Sequence, residues 1–354
     1  VSTNGQVSGR RNIVINGAMQ VNQRGTTDAA NGNGFPVDRF KCTVAALDQF
    51  VVALSQDSSA PVGFANSLEI EVTTIEDALA TNETFVLETR IESQDLLQVQ
   101  KGTATAKTMS LTFYVKSSVT GNYAIQALDH DNGRSVAFLY AISVADTWEK
   151  KSILIPADTT GAFADDNGIG LALVWYLAAG TNFTSGTLQS AWAGTTNANL
   201  AAGHNVNIMS STDNNWFLTG VQLEVGSVAT PFEHRSFGEE LALCQRYCHR
   251  INSNGSDDIQ LGTGFYNTTT ECRIMMTLPT TMRAIPTITT LDSGLDILRD
   301  SSSDTSLTLG AAIDQSIHGC GLNITGAAST TVGEGVILRL GTEAANFLEF
   351  DAEL

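Results

Sequence analysis

Two stretches decide the fold of this chain: Asn12-Ile-Val-Ile-Asn-Gly-Ala-Met-Gln-Val-Asn-Gln-Arg-Gly25, and Trp216-Phe-Leu-Thr-Gly-Val-Gln-Leu-Glu-Val-Gly-Ser-Val-Ala-Thr-Pro-Phe-Glu233. Both alternate apolar and polar side chains, the pattern of strands with one buried face. Each runs into Gly, Asn or Pro, residues that end strands. The reading predicts an opening strand from Asn12 and a closing strand from Trp216 to Val225.

Between them the same alternation predicts strands at 39–45, 67–72, 84–91, 108–117, 122–128, 135–142, 149–155 and 169–176. Asp131-Asn-Gly133 separates two of these by a turn that needs positive φ, as a tight hairpin does. The most apolar run, 168–180, is too short to cross a bilayer and reads as a buried strand. Residues 181–204, rich in Gly, Asn, Ala and Thr, read as a long loop carrying Trp192.

Composition agrees with an all-β protein. The 354 residues suggest two domains. Hydrophobic residues make up 42% and charged residues 16%, too little charge for long helical bundles. A net charge of −18 argues against binding nucleic acid or an anionic membrane surface, which would need a basic patch. The basic pairs Arg10-Arg11 and Lys150-Lys151 are short and read as solvated surface. Five cysteines, an odd number without tight spacing, make no disulfide framework and read as reduced, buried thiols. The polar start, Val1-Ser-Thr-Asn-Gly5, has no apolar signal segment.

One helix is expected, at 236–252. Ser236-x-x-Glu239 is a capping box, Glu239 and Glu240 sit at its positive end, and Arg246, His249 and Arg250 at its negative end. Phe237, Leu241, Cys244, Cys248 and Ile251 follow spacings of four, three, four and three, a narrow apolar stripe. Two readings stay open: an amphipathic helix packed on a sheet, or a three-helix seam on the axis of a trimer. Beyond it, strands are expected at 258–266, 271–278, 287–291, 305–309, 315–324, 333–340 and 347–353, a second small sandwich.

The wording of the two opening stretches, with Asp38-Arg39-Phe40 after the first, resembles a module of bacteriophage tail-fibre and virion-surface proteins. Thr147-Trp148, Ile155-Pro-Ala-Asp-Thr-Thr-Gly161, Glu240–Tyr247 and Leu278–Thr287 resemble further parts of such fibres. The resemblance implies a jelly roll similar to carbohydrate-binding modules, followed by a linker helix and a C-terminal domain. The expected division is a 1–11 arm, a 12–235 jelly roll, a 236–252 helix and a 253–354 β-domain. It further implies a non-enzymatic phage appendage, a homotrimer joined to other virion proteins, that recognises host surface glycans by multivalent adhesion. The rival is a capsid decoration or head-fibre protein, attached through Arg10 and Arg11. A second alternative is a free-standing glycan-binding or glycan-degrading protein.

Chemistry is sparse. No G-x-S-x-G elbow, phosphate loop, dinucleotide fingerprint or metalloprotease motif accompanies the five histidines, so no catalytic residue is assigned. Asp129-His130-Asp131 reads as a hydrated hairpin tip, because neighbouring strand residues face opposite ways. The acidic turns 129–133 and 165–168 lack the distal bidentate Glu of a calcium loop. Cys244 and Cys248, with His249 or Cys272, lack the spacing of a zinc site. Neither a metal nor a cofactor is expected. Paired carboxylates for glycoside cleavage would meet only in the fold. Sugar binding needs aromatic platforms, and Trp192 is the first candidate, then Trp216 and Tyr266. Trp192 as a mere loop anchor is the competing reading. Trp148 and Trp175 are expected in the core.

Overall fold

The Asn215–Val225 strand lies where the alternation put it, inside a sheet, paired antiparallel with Ser67–Thr74 on one side and Met109–Ser117 on the other. The structure is a computed structural model that describes residues 10–30, 32–46, 50–291, 294–299, 302–304, 307–326 and 331–354. Residues 1–9 of the expected arm, and part of the strand expected at 305–309, lie outside the described residues.

The chain divides into two units, with the boundary between Glu240 and Leu241. In the first, six strands follow the order Thr27–Ala30, Val51–Asp57, Ser67–Thr74, Asn215–Val225, Met109–Ser117, Glu149–Ile155. A second sheet runs Ala193–Gly194, Arg134–Ile142, Gly121–Asp129, Ile169–Ala179, Thr84–Glu92, Phe40–Ala45, Gly34–Val37. Spatial neighbours come from distant parts of the sequence, the arrangement of a jelly-roll sandwich. The inner faces meet in one core that includes Phe85, Phe113, Trp175, Trp216 and Leu223.

Ile169–Ala179 shows why its sequence does not alternate. Leu171, Leu173, Trp175 and Leu177 enter the main core. The opposite face, with Ala172, Val174 and Tyr176, packs against Leu200 and Ala201. A strand buried on both faces has no polar side to write into the sequence. The covering residues come from the segment expected as an open loop. That segment is instead folded down, with short helices at Thr181–Thr184 and Asn197–Leu200.

The opening stretch corrects the sequence reading. Residues 12–21 form turns rather than a strand. Asn16 and Met19 adopt positive φ, 59° and 54°, which no ladder accommodates. The asparagines compete with the strand for backbone groups. Asn16 Nδ2 donates to the carbonyls of Val21 (2.8 Å) and Asp38 (2.9 Å), while its Oδ1 accepts from Val21 N (3.0 Å). Asn12 Oδ1 accepts from Val14 N and Leu223 N, and its Nδ2 donates to Val221 O. Residues 12–19 are buried throughout, so the polar members of the alternation are inside as well.

In the second unit Cys248–Asn252, Phe347–Asp351 and Thr287–Thr290 form a three-stranded sheet in that order. A larger antiparallel sheet contains, among others, Leu295–Arg299, Gly335–Leu340, Ile259–Tyr266, Glu271–Thr277 and Gly319–Thr325. Their core includes Tyr266, Ile274, Leu322, Leu338 and Phe350, giving the expected second sandwich.

The helix is shorter than the 236–252 expected. It spans Phe237–Gln245, and its capping box forms: Glu239 N donates to Ser236 Oγ at 3.3 Å and Ser236 N to Glu239 Oε2 at 3.4 Å. Cys248 and Ile251 belong to the Cys248–Asn252 strand, where Arg250 sits opposite Glu349 and pairs with it at 3.3 Å. The proposed seam of Phe237, Leu241, Cys244, Cys248 and Ile251 therefore does not exist as one helical stripe. Phe237 is exposed, and Cys244 and Cys248 are buried within the chain. A four–three spacing across a helix end was satisfied first by helical and then by strand periodicity.

Candidate functional site

Of the three aromatic side chains singled out for sugar binding, two have no face to offer. Trp216 and Tyr266 are each 0% exposed. Trp175 is buried as expected, whereas Trp148 lies half-buried just before the Glu149–Ile155 strand rather than in the core.

Trp192 is half-buried and held in place. Its Nε1 donates to Pro156 O at 2.7 Å, and its carbonyl accepts from Arg134 Nη2. The Lys101 ammonium lies 5.1 Å from its ring, within cation–π range. Lys101 is the centre of a cage: Nζ reaches Asp129 Oδ2 (2.5 Å), Asp158 Oδ2 (3.1 Å) and the carbonyls of Thr160 (2.9 Å) and Gly161 (2.8 Å). Burial would raise the Asp158 carboxyl, but hydrogen bonds from Arg134, Thr160 N and Lys101 hold it below its usual range. This corrects the hydrated-tip reading at Asp129, which is fully buried, whereas His130 and Asp131 are exposed as that reading expects. Of this turn's oxygens, Asp129 Oδ2 is taken by the ammonium, and Asp131 Oδ2 accepts from Ser93 Oγ and Ala164 N. Among the described residues no group of three or more His, Cys, Asp or Glu side chains is gathered for a metal ion.

The basic pair at 10–11 is divided. Arg10 is exposed, but Arg11 donates to Thr230 Oγ1 (2.8 Å) and pairs with Glu233 (3.5 Å). Glu233 also accepts from the backbone N–H groups of Arg11 and Asn12. Burial alone would raise its carboxyl, yet these donors and the Arg235 and Arg11 charges lower it. Glu240 accepts from Asn16 N and pairs with Arg235, whose guanidinium also donates to the carbonyls of Asn12 and Val14. The two recognisable stretches are thus fastened to each other.

A cavity of about 450 Å³ opens on the outer face of the six-stranded sheet, within the size range of small-ligand sites. Its wall is aromatic. Phe64 lies 5.5 Å from Tyr114, 5.0 Å from Phe232 and 5.4 Å from His234, centroid to centroid, and Phe232 lies 4.9 Å from His234. Lys150 Nζ stands 5.7 Å from the Tyr114 ring. Phe64, Tyr114 and Phe232 are half-buried, and His234 and Lys150 are exposed.

The strands explain the placement. Phe113 and Val115 point into the core, so Tyr114 points out, opposite Lys150 of the Glu149–Ile155 strand. Gly220 sits where the pairing of Asn215–Val225 with Met109–Ser117 slips, between Thr219 and Gln222. Its φ is +63°, and a Cβ there would lie 2.7 Å from Phe64 Cζ and 3.0 Å from Tyr114 Cδ2. Only glycine both turns the strand and leaves room for the two rings. Three residues back along the strand, Phe217, itself buried, lies opposite Lys116 on the same sheet face. Lys116 Nζ is 3.9 Å from the Phe217 ring and 5.4 Å from that of Trp148. The aromatic row therefore continues beyond the cavity.

Sequence reasoning named none of Phe64, Tyr114, Phe232 or His234 as site residues, and read Lys150 as solvated surface. The available signal was an aromatic at an outward strand position, Tyr114, and the Phe232-Glu-His234 run after the strand-ending Gly226.

No family model matches the chain, and no curated protein does. Among solved structures, the enzymatically active domain of bacteriophage CBA120 tailspike protein 4 is similar over 60% of this chain and 21% of that one, at 13% identity and a TM-score of 0.32. A putative sugar binding protein from Bacteroides thetaiotaomicron is similar over 61% of this chain and all of its own, at 13% identity and a TM-score of 0.32. The CBM22-1–CBM22-2 tandem domain of Paenibacillus barcinonensis Xyn10C is similar over 98% of both chains, at 10% identity and a TM-score of 0.30. The chain spans about a fifth of the length of the tailspike chain. At these scores the likeness does not bear on function, and the architecture rests on the strand order above.

Proposed function

We propose that the first unit binds a saccharide, without chemistry, in the cavity formed by Phe64, Tyr114, Phe232 and His234. The observation that carries this reading is an outward-facing aromatic wall with polar groups at its rim. Sugars present a C–H face to a ring and hydroxyls to nearby donors and acceptors. Lys150 and His234 supply donors, and the half-buried Trp148, with Lys116 beside its ring, offers a neighbouring platform for a longer chain. The resemblance of the opening and closing stretches to phage fibre modules supports placing the protein on a virion surface, as a tail-fibre or spike-type appendage that adheres to host glycans. In a homotrimer three such sites would add avidity to a weak individual affinity.

Phe232→Ala tests the site. It removes one ring of the wall, and saccharide affinity in a glycan-array or calorimetric titration is expected to fall at least about tenfold, as for other aromatic anchors. Unchanged affinity with an unchanged thermal midpoint refutes the assignment. Light scattering of the full chain tests the trimer, and labelled particles in the electron microscope separate a tail appendage from a capsid decoration.

A further inference from the structure

We infer that the cavity selects saccharides bearing a carboxylate or sulfate group, an inference that rests on the saccharide reading above. The chain carries a net charge of −18, so acidic groups dominate its surface. The cavity departs from that average. Its lining holds two basic side chains, Lys150 and His234, and no Asp or Glu.

The carboxylates close in sequence to the lining residues are turned away and engaged. Glu233 lies in sequence between Phe232 and His234, yet it faces Arg11, Arg235 and the N–H groups of Arg11 and Asn12. Glu224 is buried behind Thr230, accepting from its N–H at 2.7 Å and its hydroxyl at 2.7 Å. Glu149 faces the other way along its strand and pairs with Lys151 at 2.5 Å. One row along, Glu69 lies opposite Phe217, beside Lys116. The lining hydroxyls of Thr112, Tyr114 and Thr230 both donate and accept, and serve any sugar. The Lys150 ammonium is donor-only and has the His234 imidazole beside it on the same lining, with no carboxylate to oppose them, which suits an anionic oxygen. Charges elsewhere on the surface are largely screened beyond about 10 Å at 0.1 M salt, so the local pair decides what the cavity accepts.

The test is a set of matched oligosaccharides titrated into the full chain at two salt concentrations: oligogalacturonate and oligosialate with their carboxyl-reduced counterparts, a sulfated galactan with its desulfated form, and neutral gluco- and xylo-oligosaccharides. An acidic member is expected to bind about tenfold tighter than its neutral counterpart, in the range of one charge-assisted hydrogen bond, and the preference should shrink at high salt. Carboxylate and sulfate sources are told apart by which matched pair shows it. The double variant Lys150→Ala/His234→Ala should lose the preference while keeping its fold, because both side chains are exposed, and Lys150→Arg should restore it in part. Equal or tighter binding of neutral members overturns the inference and leaves the saccharide reading standing. Binding that survives Phe232→Ala, or no binding of any member, overturns the reading and the inference with it.

Discussion

The latch that joins residues 11–16 to 221–240 and the aromatic cavity around Phe64 share a strand, Asn215–Val225, but use their side chains in opposite ways. In the latch every polar group is answered from within the chain: Asn12 and Asn16 by backbone, Glu233 by two N–H groups, Glu240 by Arg235. At the cavity the aromatic rings answer one another, while Lys150 and His234 face outward. The latch is legible in the sequence because its residues are contiguous and chemically demanding. The cavity is not, because five separate segments meet there. Recognisable wording here marks what holds the sandwich closed, and the surface offered to a ligand is written in scattered, ordinary residues.

Breaking the latch should therefore cost stability and spare the cavity. Arg235→Met leaves the Glu240 carboxylate buried without its cation, with side chains that are 7% and 6% exposed. A loss of about 3–5 kcal/mol is expected for such a broken buried pair, read as a shift in denaturation midpoint. Saccharide affinity of the fraction still folded should stay within about twofold, since no cavity atom is removed. A small stability change, or a large affinity change in folded protein, would join the two regions that the comparison separates.

A buried histidine sharpens the contrast. His204 is a latch residue in kind: its Nδ1 accepts from Ala124 N at 3.2 Å, and its Nε2 can then donate to Val206 O at 2.8 Å. Burial lowers its pKa from an ordinary 6.5 to about 4. The unfolded chain then takes up a proton before the folded one. Stability is fully present above pH 6.5, declines as pH falls toward 4, and is lost no further below that. Between pH 7.5 and pH 5 the contribution is about 2 kcal/mol. His204→Gln keeps a donor and an acceptor without titrating, so its stability should fall less over that interval than that of the parent chain. Equal slopes would show that the imidazole is not held neutral by this pocket.

How much was legible follows the same division. Strands with one wet face, such as Glu149–Ile155 and Glu271–Thr277, were predicted to within a residue or so at each end because their alternation reports burial directly. Val51–Asp57 was missed, its short alternation interrupted by Ser55-Gln56-Asp57. The opening stretch misled because a turn with two positive-φ residues can carry the same alternation as a strand. The 236–252 stripe misled because its spacing crosses from helix to strand. Of the candidate platforms, Trp216 failed on a feature that alternation did disclose: it lies on an inner strand position with Leu218. Nothing local could have disclosed Gly220 as the floor beneath Phe64 and Tyr114.

The smallest expected effect is the most discriminating. Trp192 was the first choice for a sugar platform, and its ring is not wholly covered. Its indole N–H, however, is bonded to Pro156 O, and its ring lies against the caged Lys101 ammonium. Trp192→Phe keeps an aromatic surface and removes that hydrogen bond, so it should cost about 1 kcal/mol of stability. Saccharide affinity should stay unchanged, because the cavity is built from other strands. The outcome is read beside Phe232→Ala under identical conditions. If Trp192→Phe weakens binding as much as Phe232→Ala does while melting normally, the ligand lies on the loop, and the outer-sheet cavity is only a gap between rings. If Phe232→Ala alone weakens it, Trp192 belongs with the latch, as a side chain that fixes its own loop.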